Sequence, residues 1–276
     1  MNANQSNLIL PWAALTSFWK NKNLIYELTK REVIGRYRGS LLGLAWSFFN
    51  PIIMLAVYTF VFSVVFQAKW QAGAISNKVN FAVIIFAGMI IHSLFAECIN
   101  RSPALIISNA NFVKKVIFPL EILIWVTLGA ALFHFLISLV ILIAVQLIFI
   151  GPISSVAIFL PLVLMPLIII TIGISWFLAS LGVYLRDIGQ ITTVVVTILM
   201  FLSPIFFPVS AIPEQYRYLL MLNPLTLFIE ETRNILLFQV MPDWYALAKA
   251  YVVGIIVMSL GYWWFQKTRG GFADVL

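Results

Sequence analysis

The chain has 276 residues, of which 62% are hydrophobic and 10% charged, and its mean hydropathy is +1.03. Water-soluble domains carry about half apolar and about a quarter charged residues, so the composition excludes a soluble globule and makes the bilayer the solvent. The formal net charge of +7 reads as a topology signal and an attraction to anionic lipid headgroups, and does not call for nucleic acid.

A helix needs about twenty apolar residues to cross about 30 Å of hydrocarbon. Six such runs predict one all-α transmembrane domain over 1–276, with no cleavable leader ahead of it. Residues 18–38 come first, with Leu24, Ile25 and Leu28 on one stripe and Lys20, Lys22, Lys30, Arg31, Arg36 and Arg38 around them. This pattern predicts an amphipathic interfacial helix within 18–40, with a break near Val33 to Gly35 where the stripe drifts. The first span, 41–66, should kink at Asn50-Pro51, because Pro51 removes a backbone donor. The second is 81–99. Ser102-Pro103 then reads as the cap of a separate helix over 102–118, carrying Phe112, Lys114 and Lys115, which either docks a partner or lies on lipid.

The third span, 119–150, places Pro119 in its first turn and is long enough to tilt. Gly151-Pro152 breaks the chain before the fourth, 155–185, in which Pro161 and Pro166 mark bends. Arg186-Asp187 forms a charged turn, a stop signal or a second contact point, ahead of the fifth span, 188–207. The stretch 208–244 carries Glu230, Glu231 and Arg233, too costly against lipid for a span. Within it Asn223-Pro224 is a good helix start, which predicts a short helix that dips into the membrane or lies on its surface. The sixth span is 245–265. An even number of crossings leaves both termini on one side, and most lysines and arginines collect there, so by the positive-inside rule that side is cytoplasmic.

Few residues suggest catalysis. Cys98 stands alone, which excludes an intrachain disulfide and a Cys-based zinc site. His92 and His134 lack the spacing of a metal motif, and no GxxxxGK[ST] phosphate loop occurs. Nothing calls for a cofactor in this chain. Glu97, near the end of the second span with His92 about a turn away, is an intramembrane acid of the kind a proton-coupled carrier would use; a carboxylate snorkelling to the interface and a histidine bonded to a neighbouring helix are the more ordinary explanation.

A longer pattern carries a family resemblance. The run from Leu28 through Arg36-Tyr37-Arg38-Gly39-Ser40-Leu41-Leu42-Gly43 to Trp46 and Asn50-Pro51, then Tyr184 to Ile188, Asn223-Pro224-Leu225 and Phe272 to Leu276, resembles the membrane subunit of polysaccharide-exporting ABC transporters. These are the O-antigen permease (Wzm-like) group, related to teichoic-acid and capsule exporters. The resemblance implies a homodimer of six-helix subunits in the bacterial inner membrane, with both termini cytoplasmic. It implies export of a glycan carried on undecaprenyl diphosphate, driven by two separate ATP-binding cassette subunits that hold ATP and magnesium. It makes 102–118 the coupling helix, with Ser102, Phe112, Lys114, Lys115, Arg186 and Asp187 facing the ATPase. The 208–244 stretch becomes part of a periplasmic gate, with Asn223, Pro224, Glu230, Glu231 and Arg233 as its residues.

A hydrated sugar chain cannot shed its water into hydrocarbon, so such a function needs a protein-lined path on which aromatic rings let sugars slide. Trp46, Phe49 and Tyr58 on the first span and Phe201, Phe206 and Phe207 on the fifth are the candidates. Arg36 and Arg38, ahead of the first span, are candidates for the lipid diphosphate. An ion-coupled secondary carrier and a membrane-embedded glycan-modifying enzyme are the competing classes.

Overall fold

The computed structural model describes residues 11–65, 78–113 and 118–276, and every regular element among them is helical. Five helical segments are long and apolar enough to cross a membrane: Gly43–Phe62, Phe81–Ser108, Ile122–Phe149, Ser155–Tyr184 and Trp244–Val275. Ile188–Phe201 is apolar but shorter.

The described residues begin with α1 (Pro11–Lys20) and α2 (Lys22–Arg36). They part at Asn21, whose Nδ2 donates to the Ser17 carbonyl at 2.8 Å, and the break expected near Val33 to Gly35 falls where α2 ends, in a turn at residues 37–39. The drifting stripe has another cause. Ile25 and Leu28 pack on Ile122 and Val126, whereas Glu32 and Arg36 reach a different helix, so α2 is wedged between two neighbours and needs two faces.

A 3-10 turn at Gly43–Ala45 leads into α3 (Trp46–Tyr58), which loosens into π-helical turns at Thr59–Val65. Pro51 sits inside α3. The central helix is α4 (Lys78–Ser108): 78% of its apolar window is buried, against 17% for the first span. It corrects the expected separate helix at 102–118. Ser102 does not cap a helix but lies inside α4, buried, its Oγ donating to the Cys98 carbonyl at 2.7 Å, and Pro103 follows within the same helix. Among the described residues of 102–118, the short α5 (Ala110–Val113) follows it; Lys114 and Lys115 lie outside the described residues.

The third span begins later than expected. Pro119 to Glu121 form a turn, with the Ile122 N–H donating to the Pro119 carbonyl at 3.1 Å, and α6 runs Ile122–Phe149. A 3-10 turn at Ser155–Phe159, capped by the Ser154 hydroxyl, opens α7 (Leu160–Tyr184). The fifth apolar segment, α8, is helical only over Ile188–Phe201, about 21 Å at 1.5 Å per residue. Pro204 explains the early end, since it lacks a donor and disfavours helix at the residue before it. Asn223 Nδ2 accordingly takes up the Leu199 carbonyl at 3.0 Å and the Ser203 hydroxyl at 2.8 Å.

Beyond it come α9 (Glu214–Leu222), α10 (Pro224–Arg233), α11 (Trp244–Thr268) and α12 (Phe272–Val275). Asp243 caps α11, its Oδ1 accepting from the Tyr245 and Ala246 N–H groups at 3.0 Å. Close helix approach holds α4, α7 and α11 together. A methyl group placed on Gly173 of α7 would come within 2.6 Å of the Met258 backbone of α11, one on Gly261 would strike the Gly173 carbonyl, and one on Gly182 would strike that of Pro103 in α4. Small residues that let backbones touch replace the hydrophobic driving force that helices lose in lipid.

Candidate functional site

α2 and α4 each carry an acid and a base four residues apart, Glu32 with Arg36 and Glu97 with Arg101. Side by side and antiparallel, they interlock. Arg36 binds Glu97 at 2.5 Å, Arg101 binds Glu32, and Arg101 Nη1 lies 3.5 Å from Glu97. His134 of α6 completes the cluster, its Nδ1 lying 3.0 Å from Arg36 Nη1 and 3.3 Å from Glu97 Oε2, its Nε2 3.0 Å from the Tyr37 hydroxyl. Three elements are thus tied by alternating charge.

This changes the reading of Glu97. Its neighbour is not His92, since five residues along an α-helix is about 140° of rotation. His92 is buried on another face, 3.3 Å from the Val196 carbonyl of α8. Of the two candidate arginines, Arg36 is already engaged, whereas Arg38 is exposed and makes no ion pair among the described residues.

Arg36, Tyr37, Glu97 and His134 of the cluster form the mouth of a cleft of about 270 Å³ between α3, α4 and α6. Its polar wall is Ser47, Asn50, Tyr58, Ser93 and Ser138; Met54, Phe86 and Met89 supply apolar surface deeper in. Tyr58 is the one candidate path aromatic that lines it. Trp46 and Phe49 pack edge to face at 6.4 Å and are exposed on the outer side of α3.

At the other end of the bundle, Phe206 stacks on Phe62 at 5.7 Å and lies 6.2 Å from Phe201, joining the ends of the first and fifth apolar segments; Phe207 is half-buried beside them. Asn223 caps α10, its Oδ1 accepting from the Leu225 N–H at 2.9 Å, and Pro224 is exposed at the first helical position. Leu225, Ile229 and Thr232 are fully buried, so protein covers this helix. Arg233 fixes its depth. The buried guanidinium donates to the carbonyls of Ile84 at 3.0 Å, Ile205 at 2.9 Å and Pro204, and pairs with Glu230 at 3.1 Å. It covers Gly88, where an added methyl would sit 2.7 Å from Nη2. The charge therefore lies level with Ile84 to Gly88, about two to three turns inside α4, about 9–15 Å along its axis. Burial pulls the Arg233 pKa down to about 10, which leaves it protonated at neutral pH, and raises Glu230 and Glu231 above the usual carboxylate range.

The basic end is knitted through Glu121. Its carboxylate accepts from the Ser17 hydroxyl at 3.0 Å and from Arg269 at 2.8 Å, its carbonyl from Trp176 Nε1 at 3.2 Å. Phe272 is fully buried against Phe265 and Tyr184. A second hollow, about 210 Å³, opens here beside Arg31, Glu32, Arg101, Asn109 and Phe112. Phe112 stacks on Phe118 at 4.3 Å, and Arg186 and Asp187 are exposed in the turn between α7 and α8. Sequence reading missed the partners of Glu97 and Glu121. The four-residue spacing of Glu32/Arg36 and Glu97/Arg101 was visible; nothing in a single sequence says that the two pairs meet.

Residues 23–237, well over half of the chain, match the family described as "ABC-2 type transporter". The chain belongs to that family. As an ABC-2 type transporter subunit it is a multi-pass membrane protein that partners an ATP-binding subunit. Among its relatives, the O-antigen export system permease protein RfbA of Klebsiella pneumoniae is 25% identical over 255 residues, covering 92% of this chain and 95% of that one. The protein of the same name from Myxococcus xanthus is 26% identical over 260 residues, covering 93% and 96%. The polysialic acid transport protein KpsM of Escherichia coli is 25% identical over 224 residues, covering 80% and 84%.

Proposed function

We propose that this chain is the permease subunit of an ABC exporter that passes a lipid-linked polysaccharide outward through the bacterial inner membrane. The observation that carries the reading is similarity over more than nine-tenths of the chain to proteins named for O-antigen export. The alternative cargo is a capsular polysaccharide or teichoic acid, and similarity to the polysialic acid transport protein favours the former of these two. Two copies form the path, and two separate ATPase subunits hold ATP and magnesium.

In this reading the basic end faces the cytoplasm, carrying both termini, and α8 with the 202–208 stretch completes a sixth crossing. Arg38, with Arg36 beside it, attracts the carrier diphosphate. The end of α4, α5, Lys114 and Lys115, with the Arg186-Asp187 turn, receives the ATPase. Its closure moves these elements as rigid bodies, and α10 with Asn223, Glu230, Glu231 and Arg233 forms the outer gate beside the Phe62, Phe201 and Phe206 rings.

Deleting the chain in cells that carry its ATPase should make lipid-linked glycan accumulate on the cytoplasmic face, and restoring it should clear the pool. An unchanged pool overturns the export reading. Reversing the charge of Lys114 and Lys115 should weaken co-purification of the ATPase; undiminished capture and export would remove them from the docking surface.

A further inference from the structure

The cleft between α3, α4 and α6 has a property that the charged residues at its mouth conceal. Arg36 and Glu97 line that mouth and are already paired with each other, and Glu32 and Arg101 beside them form a second pair outside the cleft. A diphosphate entering there would have to take Arg36 from Glu97 and then face the released carboxylate. Exposed Arg38 offers a cation without that conflict. Below the mouth the wall is polar but uncharged. The Asn50 amide, the Ser93 hydroxyl and the Tyr58 hydroxyl open into the cleft and make no hydrogen bond among the described residues. The cleft follows α4 from Glu97 to Phe86, about 16 Å at 1.5 Å per residue. Asn50 and Ser93 are exposed to this space, so it holds water when empty, and a ligand that bears hydroxyls can take over the same hydrogen bonds.

Size and shape narrow the occupant. About 270 Å³ is near the lower end of ligand pockets, about 300–1,000 Å³, enough for one ring and too little for a polymer. Tyr58 and Phe86 line the cleft, and the negative face of an aromatic ring suits the C–H side of a sugar. A paired carboxylate and guanidinium beside an amide and hydroxyls can exchange hydrogen bonds with several sugar hydroxyls without demanding net charge.

We infer that this cleft is a binding site for one uncharged pyranose, the sugar joined directly to the carrier diphosphate, with the diphosphate held outside it near Arg38. The inference rests on the export reading and adds to it a point at which the carrier end of the substrate is recognised. The permease then distinguishes a loaded carrier from a bare one by its sugar, through Asn50, Ser93 and Tyr58.

The test uses the full chain in lipid nanodiscs and two probes, a polyprenyl diphosphate bearing one neutral hexose and the same polyprenyl diphosphate without it. The hexosyl carrier should bind about tenfold more tightly, the margin that one or two added hydrogen bonds supply. Asn50→Ala and Ser93→Ala should each bring the ratio toward one. Ser93 lies on the open wall of the cleft, so its variant carries the test should Asn50→Ala not fold. Equal affinities in the unaltered protein overturn the inference and identify the cleft as a water-filled space, while the accumulation assay still decides export on its own. A preference that survives both substitutions overturns it as well, and so does capture of neither probe.

Discussion

Arg36 and Glu97, 61 residues apart in sequence, meet at 2.5 Å where α2 crosses α4. The pair sets the angle at which the amphipathic helix leaves the bundle, because Arg36 is the last residue of α2 and Tyr37 follows it onto His134. Replacing either partner strands a charge, whereas neutralising both removes the pair without bringing like charges against Glu32 and Arg101. Arg36→Gln with Glu97→Gln should therefore cost less than the two single changes added together. Arg36 keeps 39% of its side chain exposed, so solvent screens the interaction, and a double-mutant cycle should give a coupling of about 1 kcal/mol. Thermal unfolding of the four proteins in detergent measures it, and added salt should shrink it.

Arg233 should be far less forgiving. Arg233→Met leaves the carbonyls of Ile84, Pro204 and Ile205 without their donor, a loss of about 3 kcal/mol or more. Arg233→Lys keeps the charge but not the fork that reaches several acceptors at once, and should recover only part of it. Folded yield on size-exclusion chromatography and the unfolding midpoint report both.

The two carboxylates of α10 predict a pH dependence. Burial is the main cause that holds Glu230 and Glu231 above their unfolded values, so the folded state binds protons more readily than the unfolded one. Their contribution is complete below the ordinary glutamate range and is lost as pH rises through the raised folded values. Glu231→Gln should flatten that decline in a series of melting curves from mildly acid to neutral pH; a curve parallel to that of the unaltered protein counts against it.

Close contact between α7 and α11 gives a steric prediction. Gly261→Leu would push the helices apart, since even a methyl group there meets the Gly173 carbonyl. The cost should exceed the usual overpacking range of about 1–3 kcal/mol. Leu260→Ala, one residue along on an exposed face, serves as the matched control and should leave the melting temperature within a degree or two.

The spans were legible wherever apolar length decided them, as for α6 and α7. Capping chemistry also spoke plainly at Asn223-Pro224, where side chain and proline agree on a helix start. It misled at Ser102-Pro103, where α4 runs on through the proline and the serine hydroxyl bonds back to the Cys98 carbonyl instead of capping a new helix. The end of α8 was hidden for a related reason: residues 202–207 remain apolar after the helix stops, so hydropathy cannot register the turn at Pro204. For the candidate site, composition supplied the aromatics and arginines one at a time. It could not show that Tyr58 faces a cleft while Trp46 and Phe49 face outward, nor that Arg36 is already paired, because those facts belong to how α2, α3, α4 and α6 assemble.

Glu121 has a bearing on the order in which the molecule is made. It must wait for Arg269, 148 residues downstream, before one of its two carboxylate oxygens finds a cation, although Ser17 is at hand as soon as α6 forms. During synthesis the opening helix can settle only provisionally against the third span, and the knot at the basic end is drawn tight when the last helix leaves the ribosome.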